Sequence, residues 1–142
     1  MKILLTIFTY ILFISEAMSQ DYVVFSKEEM NSSDWDYNPK GPYWTPNDNE
    51  VEGALSMLPA YISNLFEGRE SGILKNYDEY NFQISGLYSK DDKVIYIYAL
   101  CDETSEWRQG YFLAADGGSC YWKAYYNIRL HKIISVEING EA

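Results

Sequence analysis

Residues 80–139 form a succession of runs rich in β-branched and aromatic residues, and this succession limits the possible folds more than any other feature of the chain. The runs are "YNFQISGLY" (80–88), "KVIYIYALC" (93–101), "RQGYFLAA" (108–115), "SCYWKAYYN" (119–127) and "KIISVEIN" (132–139). Such composition favours strands. The connections are short, and a parallel neighbour would need a crossover of a dozen or more residues. Consecutive strands are therefore expected to run antiparallel as a meander, with "SKDD" (89–92) turning the first hairpin. Gly86 and Gly110 fall inside strands, where a glycine allows a bulge or a strong bend.

Alternation along these runs tells which side chains share a face. Ile95, Ile97 and Ala99 alternate with Tyr96, Tyr98 and Leu100, so both faces of that strand are apolar. Cys101 continues the first set, and Cys120 heads the set Trp122, Ala124, Tyr126. Two cysteines in an exported protein are expected to pair. The Cys101–Cys120 bridge would put these two sets on one face. It would close a loop of about 20 residues and contribute about 3 kcal/mol in the chain-entropy picture.

Ahead of the strands stands one segment of helical period, "TPNDNEVEGALSMLPAYISNLFEG" (45–68). Val51, Leu55, Leu58, Ile62 and Leu65 recur at three and four residues and make one apolar stripe. Thr45 is the expected cap, with Pro46 in the first turn and Asp48, Glu50 and Glu52 favouring the positive end of the helix dipole. Pro59 predicts a kink or break over 55–59, and Gly68 predicts the end. The expected class is α+β: one N-terminal helix packed on a curved antiparallel meander of four to five strands.

The first residues, "MKILLTIFTYILFISEAMSQ", combine Lys2, an apolar run from Ile3 to Ile14 and small residues at Ala17 and Ser19. That order is the pattern of a cleaved secretory leader, here 1–19 with cleavage after Ser19. The run is shorter than the ~20 residues a spanning helix needs. Residues 20–44 are polar, contain Pro39, Gly41 and Pro42, and read as an extended arm laid over a single domain at 45–142. Asn31 begins the sequon "NSS". A secreted or periplasmic location follows from the leader.

The net charge of −10 is unchanged by loss of the leader, because Lys2 and Glu16 cancel. A surface this negative repels phosphate backbones and anionic lipid heads, which disfavours nucleic acid and membrane surfaces and is compatible with steering a basic protein partner.

A long helix before a four- or five-stranded antiparallel meander with glycines inside its strands resembles the cystatin-like fold over roughly residues 45–142. "DGGSCYW" (116–122) and the terminal "INGEA" are similar to segments of small exported, bacterial-looking proteins with that layout. Cystatins inhibit papain-like proteases through an N-terminal glycine, a Q-x-V-x-G hairpin and a Pro-Trp hairpin. Here "QISG" (83–86) is one residue short and lies within a strand, and "PYW" (42–44) separates the proline from the tryptophan. The inhibitory residues do not carry over, and fold alone does not carry function.

Tests for chemistry are mostly negative. His131 is the single histidine and lies in a polar turn, with no serine or cysteine nucleophile paired to it by sequence. Soft ligands for zinc are too few, the acidic "NDNE" lacks the spacing of a calcium loop, and no phosphate-binding glycine pattern occurs. No metal or cofactor is expected. Asp102, Glu103, Glu106 and Asp116 flank the disulfide, and Asp116 or Glu106 would be the acid or base of an enzyme with a carboxylate in a cavity between helix and sheet. A solvated-loop reading outweighs that one.

The aromatics stand out: 14 tyrosines and four tryptophans in 142 residues. Tyr96, Tyr98, Tyr121, Tyr125 and Tyr126 cannot all be interior if the helix covers one face. The leading expectation is a non-catalytic secreted domain that binds a protein partner through an aromatic sheet face, with Tyr98, Tyr121, Trp122 and Tyr125 as contacts. An enzyme or small-ligand binder and a cystatin-like protease inhibitor are the alternatives.

Overall fold

The computed structural model describes residues 21–32, 39–68, 71–101, 106–114 and 116–140. The expected leader, and Asp102 and Glu103, lie outside the described residues.

Four of the expected strands form the antiparallel meander: β3 (Asn81–Ser89), β4 (Asp92–Leu100), β5 (Tyr121–Asn127) and β6 (Lys132–Ile138). Lys90 and Asp91 make the two-residue turn between β3 and β4, with Lys90 at φ 58°. The sheet is nevertheless larger than a meander. Two pieces of the arm, β1 (Tyr22–Val24) and β2 (Tyr43–Trp44), pair side by side along the outer edge of β3. β1 runs parallel to β3 with Tyr22 opposite Phe82, and β2 runs antiparallel with Trp44 opposite Gly86. The result is a six-stranded mixed sheet in an α+β fold, and the one long helix among the described residues is central in the chain, not N-terminal.

Gly86 owes its place to that edge. A Cβ there would stand 2.4 Å from the Trp44 carbonyl oxygen, so β2 can approach β3 only over a glycine. The register shift of the sheet falls elsewhere, between β5 and β6 at Tyr125/Tyr126.

The long helix, α2 (Asp48–Leu65), is capped two residues later than expected. Asn47 Oδ1 accepts from the Glu50 amide (3.0 Å), and Glu50 Oε2 accepts from the Asn47 amide (2.9 Å), a reciprocal capping box. Pro59 neither breaks nor ends the helix and lies on its exposed side. Val51, Ala54, Leu58 and Ile62 are buried against the sheet, while Leu65 is exposed. The described residues also contain two short α-helices, α1 (Lys27–Ser32) and α3 (Gly72–Lys75). Ser26 and Glu29 cap α1 with the same reciprocal pair of bonds, 3.2 and 2.7 Å.

Both faces of the sheet are covered. On the α2 side Ile84, Ile95, Ile97, Ala99, Trp122, Ala124 and Tyr126 form one core with the helix, Tyr80 and Phe82. The two sets that the cysteines were expected to bring together do share this face, and Cys101 is bonded to Cys120 with Cα atoms 5.0 Å apart. On the opposite side Leu87, Val94, Tyr96, Tyr98 and Leu100 form a second core with Phe25, Met30, Trp107 and Tyr111.

The cover on that second side corrects the sequence reading. Residues 108–114 were expected to be a strand, but they carry no strand; 106–114 are turns and irregular chain laid across the sheet. Their apolar composition serves to cover β4, not to extend the ladder.

Candidate binding surface

An irregular segment that crosses a sheet must still satisfy its backbone polar groups. Here side chains far away in sequence do so. Gln83, fully buried in β3, donates through Nε2 to the carbonyls of Trp107 (2.6 Å) and Gly110 (2.9 Å), and its Oε1 accepts from the Phe112 amide (2.8 Å). The Tyr98 hydroxyl accepts from the Ala114 amide (2.9 Å), and Asn139 Nδ2 donates to the Ala114 carbonyl (2.7 Å). The disulfide closes the base of the segment, where the Cys101 amide also donates to the Cys120 carbonyl (3.0 Å).

This cover fixes the fate of the tyrosines. Tyr96 and Tyr98 are 2% and 1% exposed, and Trp122 is fully buried in the opposite core among Tyr77, Tyr80 and Phe82. In this structure Tyr98 and Trp122 are therefore not available to a partner, because Trp122 lies in the core under α2 and Tyr98 lies in the core under residues 106–114. Burial drives the phenols of Tyr96 and Tyr111 well above the ordinary tyrosine value, and the nearby Tyr98 and Tyr125 add to the effect on both.

Tyr121 and Tyr125 remain half-buried. Tyr121 stacks on Tyr98 (6.4 Å, 15°) and touches Phe112 (5.8 Å); Tyr125 meets Tyr96 edge to face (5.2 Å). Between them Lys123 pairs with Glu137 (2.9 Å). With half-buried Phe112 and Leu113 they form a strip packed against the second core.

Two clefts hold carboxylates. One, of about 310 Å³, lies between α1 and the cover and is lined by Phe25, Glu29, Met30, Ser32 and residues 109–111. The other, of about 220 Å³, lies between the start of α2 and the β5–β6 turn and is lined by Asn49, Glu50, Gly53, Tyr126, Ile128 and His131. Glu29 and Glu50 are the two capping carboxylates, each already accepting a backbone amide. The Tyr126 hydroxyl stands 3.5 Å from His131 Nδ1, and His131 itself is exposed in its turn at φ 48°. Glu106 and Asp116 are exposed.

Gln83 and Asn139 were missed as organising residues. The signal for Gln83 was present, since an amide set between Phe82 and Ile84 in an apolar strand must find buried partners. Among the described residues no group of three His, Cys, Asp or Glu side chains is gathered to hold a metal, and no helix is long and apolar enough to cross a membrane. No family model, curated protein or solved structure matches the chain.

Proposed function

We propose that the chain is a small exported, disulfide-stapled domain without catalytic activity, which binds a protein partner over the strip of Phe112, Leu113, Tyr121, Lys123 and Tyr125. The observation that carries this reading is the use made of the cleft carboxylates: Glu29 and Glu50 each accept a backbone amide as part of a helix cap. The strip offers what contact surfaces use, half-buried aromatic rings already held by packing, so that little side-chain entropy is lost on binding. The net charge of −10 favours a basic partner and fast encounter. The leader pattern and the disulfide support export. A cystatin-like layout, a helix across an antiparallel meander, is part of the same proposal at the level of fold.

The test is affinity capture from native secretions, followed by titration of each purified captured protein with wild type and Tyr125→Ala at low and high salt. A basic protein is expected, bound more weakly as salt rises and about tenfold more weakly by the variant. Equal binding by both proteins would remove the strip from the interface. Capture no better than by an inert acidic protein of the same size would end the proposal.

A further inference from the structure

The cleft between the start of α2 and the β5–β6 turn has three features that packing does not explain. The first is a glycine. Gly53 lies inside α2 with ordinary helical backbone, where the lack of a side chain costs stability relative to alanine. Among the described residues a Cβ at Gly53 would meet nothing within 4 Å, so no close approach of another segment requires a glycine there. What the missing side chain leaves is bare backbone along one wall of the cleft.

The second is His131, held at φ 48°, a left-handed conformation that few residues with a side chain adopt. This turn places His131 in the lining, with Nδ1 3.5 Å from the Tyr126 hydroxyl. The third is Glu50. It is half-buried, and its Oε2 accepts from the Asn47 amide (2.9 Å). Among the described residues no donor bonds its other oxygen, and no cation pairs with it. The rest of the wall is mainly apolar: Tyr126 and Ile128 both pack with the α2-side core. Tyr125 belongs to the second core, so the cleft and the aromatic strip lie on opposite faces of the sheet.

From this arrangement we infer that the cleft is a binding site for a small organic cation, a primary ammonium joined by a short chain to one aromatic ring. The volume of about 220 Å³ lies below the ~300–1,000 Å³ of pockets for drug-sized ligands, which limits the guest to a ring and a short tail. Glu50 sets the sign of the charge. The ammonium donates to the carboxylate oxygen that the helix cap does not use, a charge-assisted bond, and the neighbouring Asn49 amide supplies a further acceptor. An anion would find neither lysine nor arginine in the lining. The ring of the guest lies on the backbone at Gly53, between Ile128 and the rings of Tyr126 and His131. The net charge of −10 concentrates cations at the surface from which they enter.

The experiment follows backbone and histidine signals of the purified protein by NMR as phenethylamine is added, with phenethyl alcohol and 3-phenylpropionate as neutral and anionic controls of similar shape. The amine is expected to shift Gly53, Ile128 and His131 saturably, the alcohol to bind about tenfold more weakly, and the anion not to bind. Glu50→Gln keeps an acceptor for the cap and loses the charge, and should weaken amine binding by about tenfold or more. Gly53→Leu puts a side chain into the open space and restores helix propensity, so it should raise the urea midpoint while abolishing binding. The inference is overturned by an amine that saturates no signal at millimolar concentration, by equal binding of either control, or by either variant binding as wild type does. A Gly53→Leu protein less stable than wild type overturns it too, since the fold itself would then require the glycine. Tighter binding of N-acetyl-lysine amide than of phenethylamine would assign the cleft to the side chain of a partner protein and not to a small amine. None of these measurements involves the aromatic strip on the other face, so the two sites stand or fall separately.

Discussion

Replacing Gln83 by leucine should loosen the cover over the second face of the sheet while leaving the α2 side intact. The side chain is fully buried and makes three hydrogen bonds, to the carbonyls of Trp107 and Gly110 and from the amide of Phe112. At about 1 kcal/mol net for each bond, loss of the three costs about 3 kcal/mol. Leaving the three backbone groups buried without partners would raise this toward roughly 6 kcal/mol. The segment can relieve that penalty by lifting into water, which sacrifices the packing of Trp107 and Tyr111 on Tyr96 and Tyr98 instead. The expected loss is therefore ~3–5 kcal/mol by urea unfolding. Hydrogen exchange of the Phe112 amide should accelerate far more than that of β5 amides bonded to β4. Gln83→Glu should be at least as damaging, because its carboxylate would face two carbonyl oxygens. A loss below about 1 kcal/mol for Gln83→Leu, with Phe112 still protected, would refute the idea that this amide holds the segment down.

Other outcomes follow from the same structure. Gly86→Ala places a Cβ against the Trp44 carbonyl at 2.4 Å and should cost about 1–3 kcal/mol or release β2, seen as a changed Trp44 fluorescence in a protein that still melts cooperatively. The Arg129 guanidinium, helped by the Asn127 amide, holds the Asp92 carboxyl down at about 2. Its stabilising effect is complete above the ordinary carboxylate range and fades as pH falls from about 4 through about 2, so Asp92→Asn should flatten the acid limb of a stability–pH curve in that window. Phenols raised by burial act in the opposite sense: the contribution of Tyr96 and Tyr111 is present below about pH 10 and is lost as pH rises further. Absorbance titration should therefore leave these tyrosines protonated until the protein unfolds in alkali. Cys101→Ser with Cys120→Ser should cost about 3 kcal/mol in denaturant midpoint, as expected for a bridge spanning 19 residues.

Much of the framework was legible in the sequence because it rests on local period. The α2 stripe, the four meander strands and the shared face of the two cysteine-linked sets all follow from spacings of 3.6 and 2. What was not legible has long-range causes. β1 and β2 are three and two residues long and exist only because β3 offers an edge. Segment 106–114 has the composition of a strand, yet its hydrogen-bond partners are Gln83, Tyr98 and Asn139, at positions no periodicity connects to it. The aromatic face was misjudged for the same reason: Tyr96 and Tyr98 are hidden by a cover that is neither helix nor strand. Trp122 was misjudged differently, since α2 packs over the very face that the disulfide pattern had assigned to it.

The placement of β1 and β2 has a consequence for aggregation. A sheet with two free edges can add copies at both ends and grow without limit, whereas this sheet has one edge already occupied by short strands of its own arm. Among the described residues only β6 is left as a longer edge, and its pairing with β5 is itself interrupted by a register shift. The arm thus blunts its own side of the sheet against pairing with other chains, the protection that short edge strands give a β-sheet protein against aggregation.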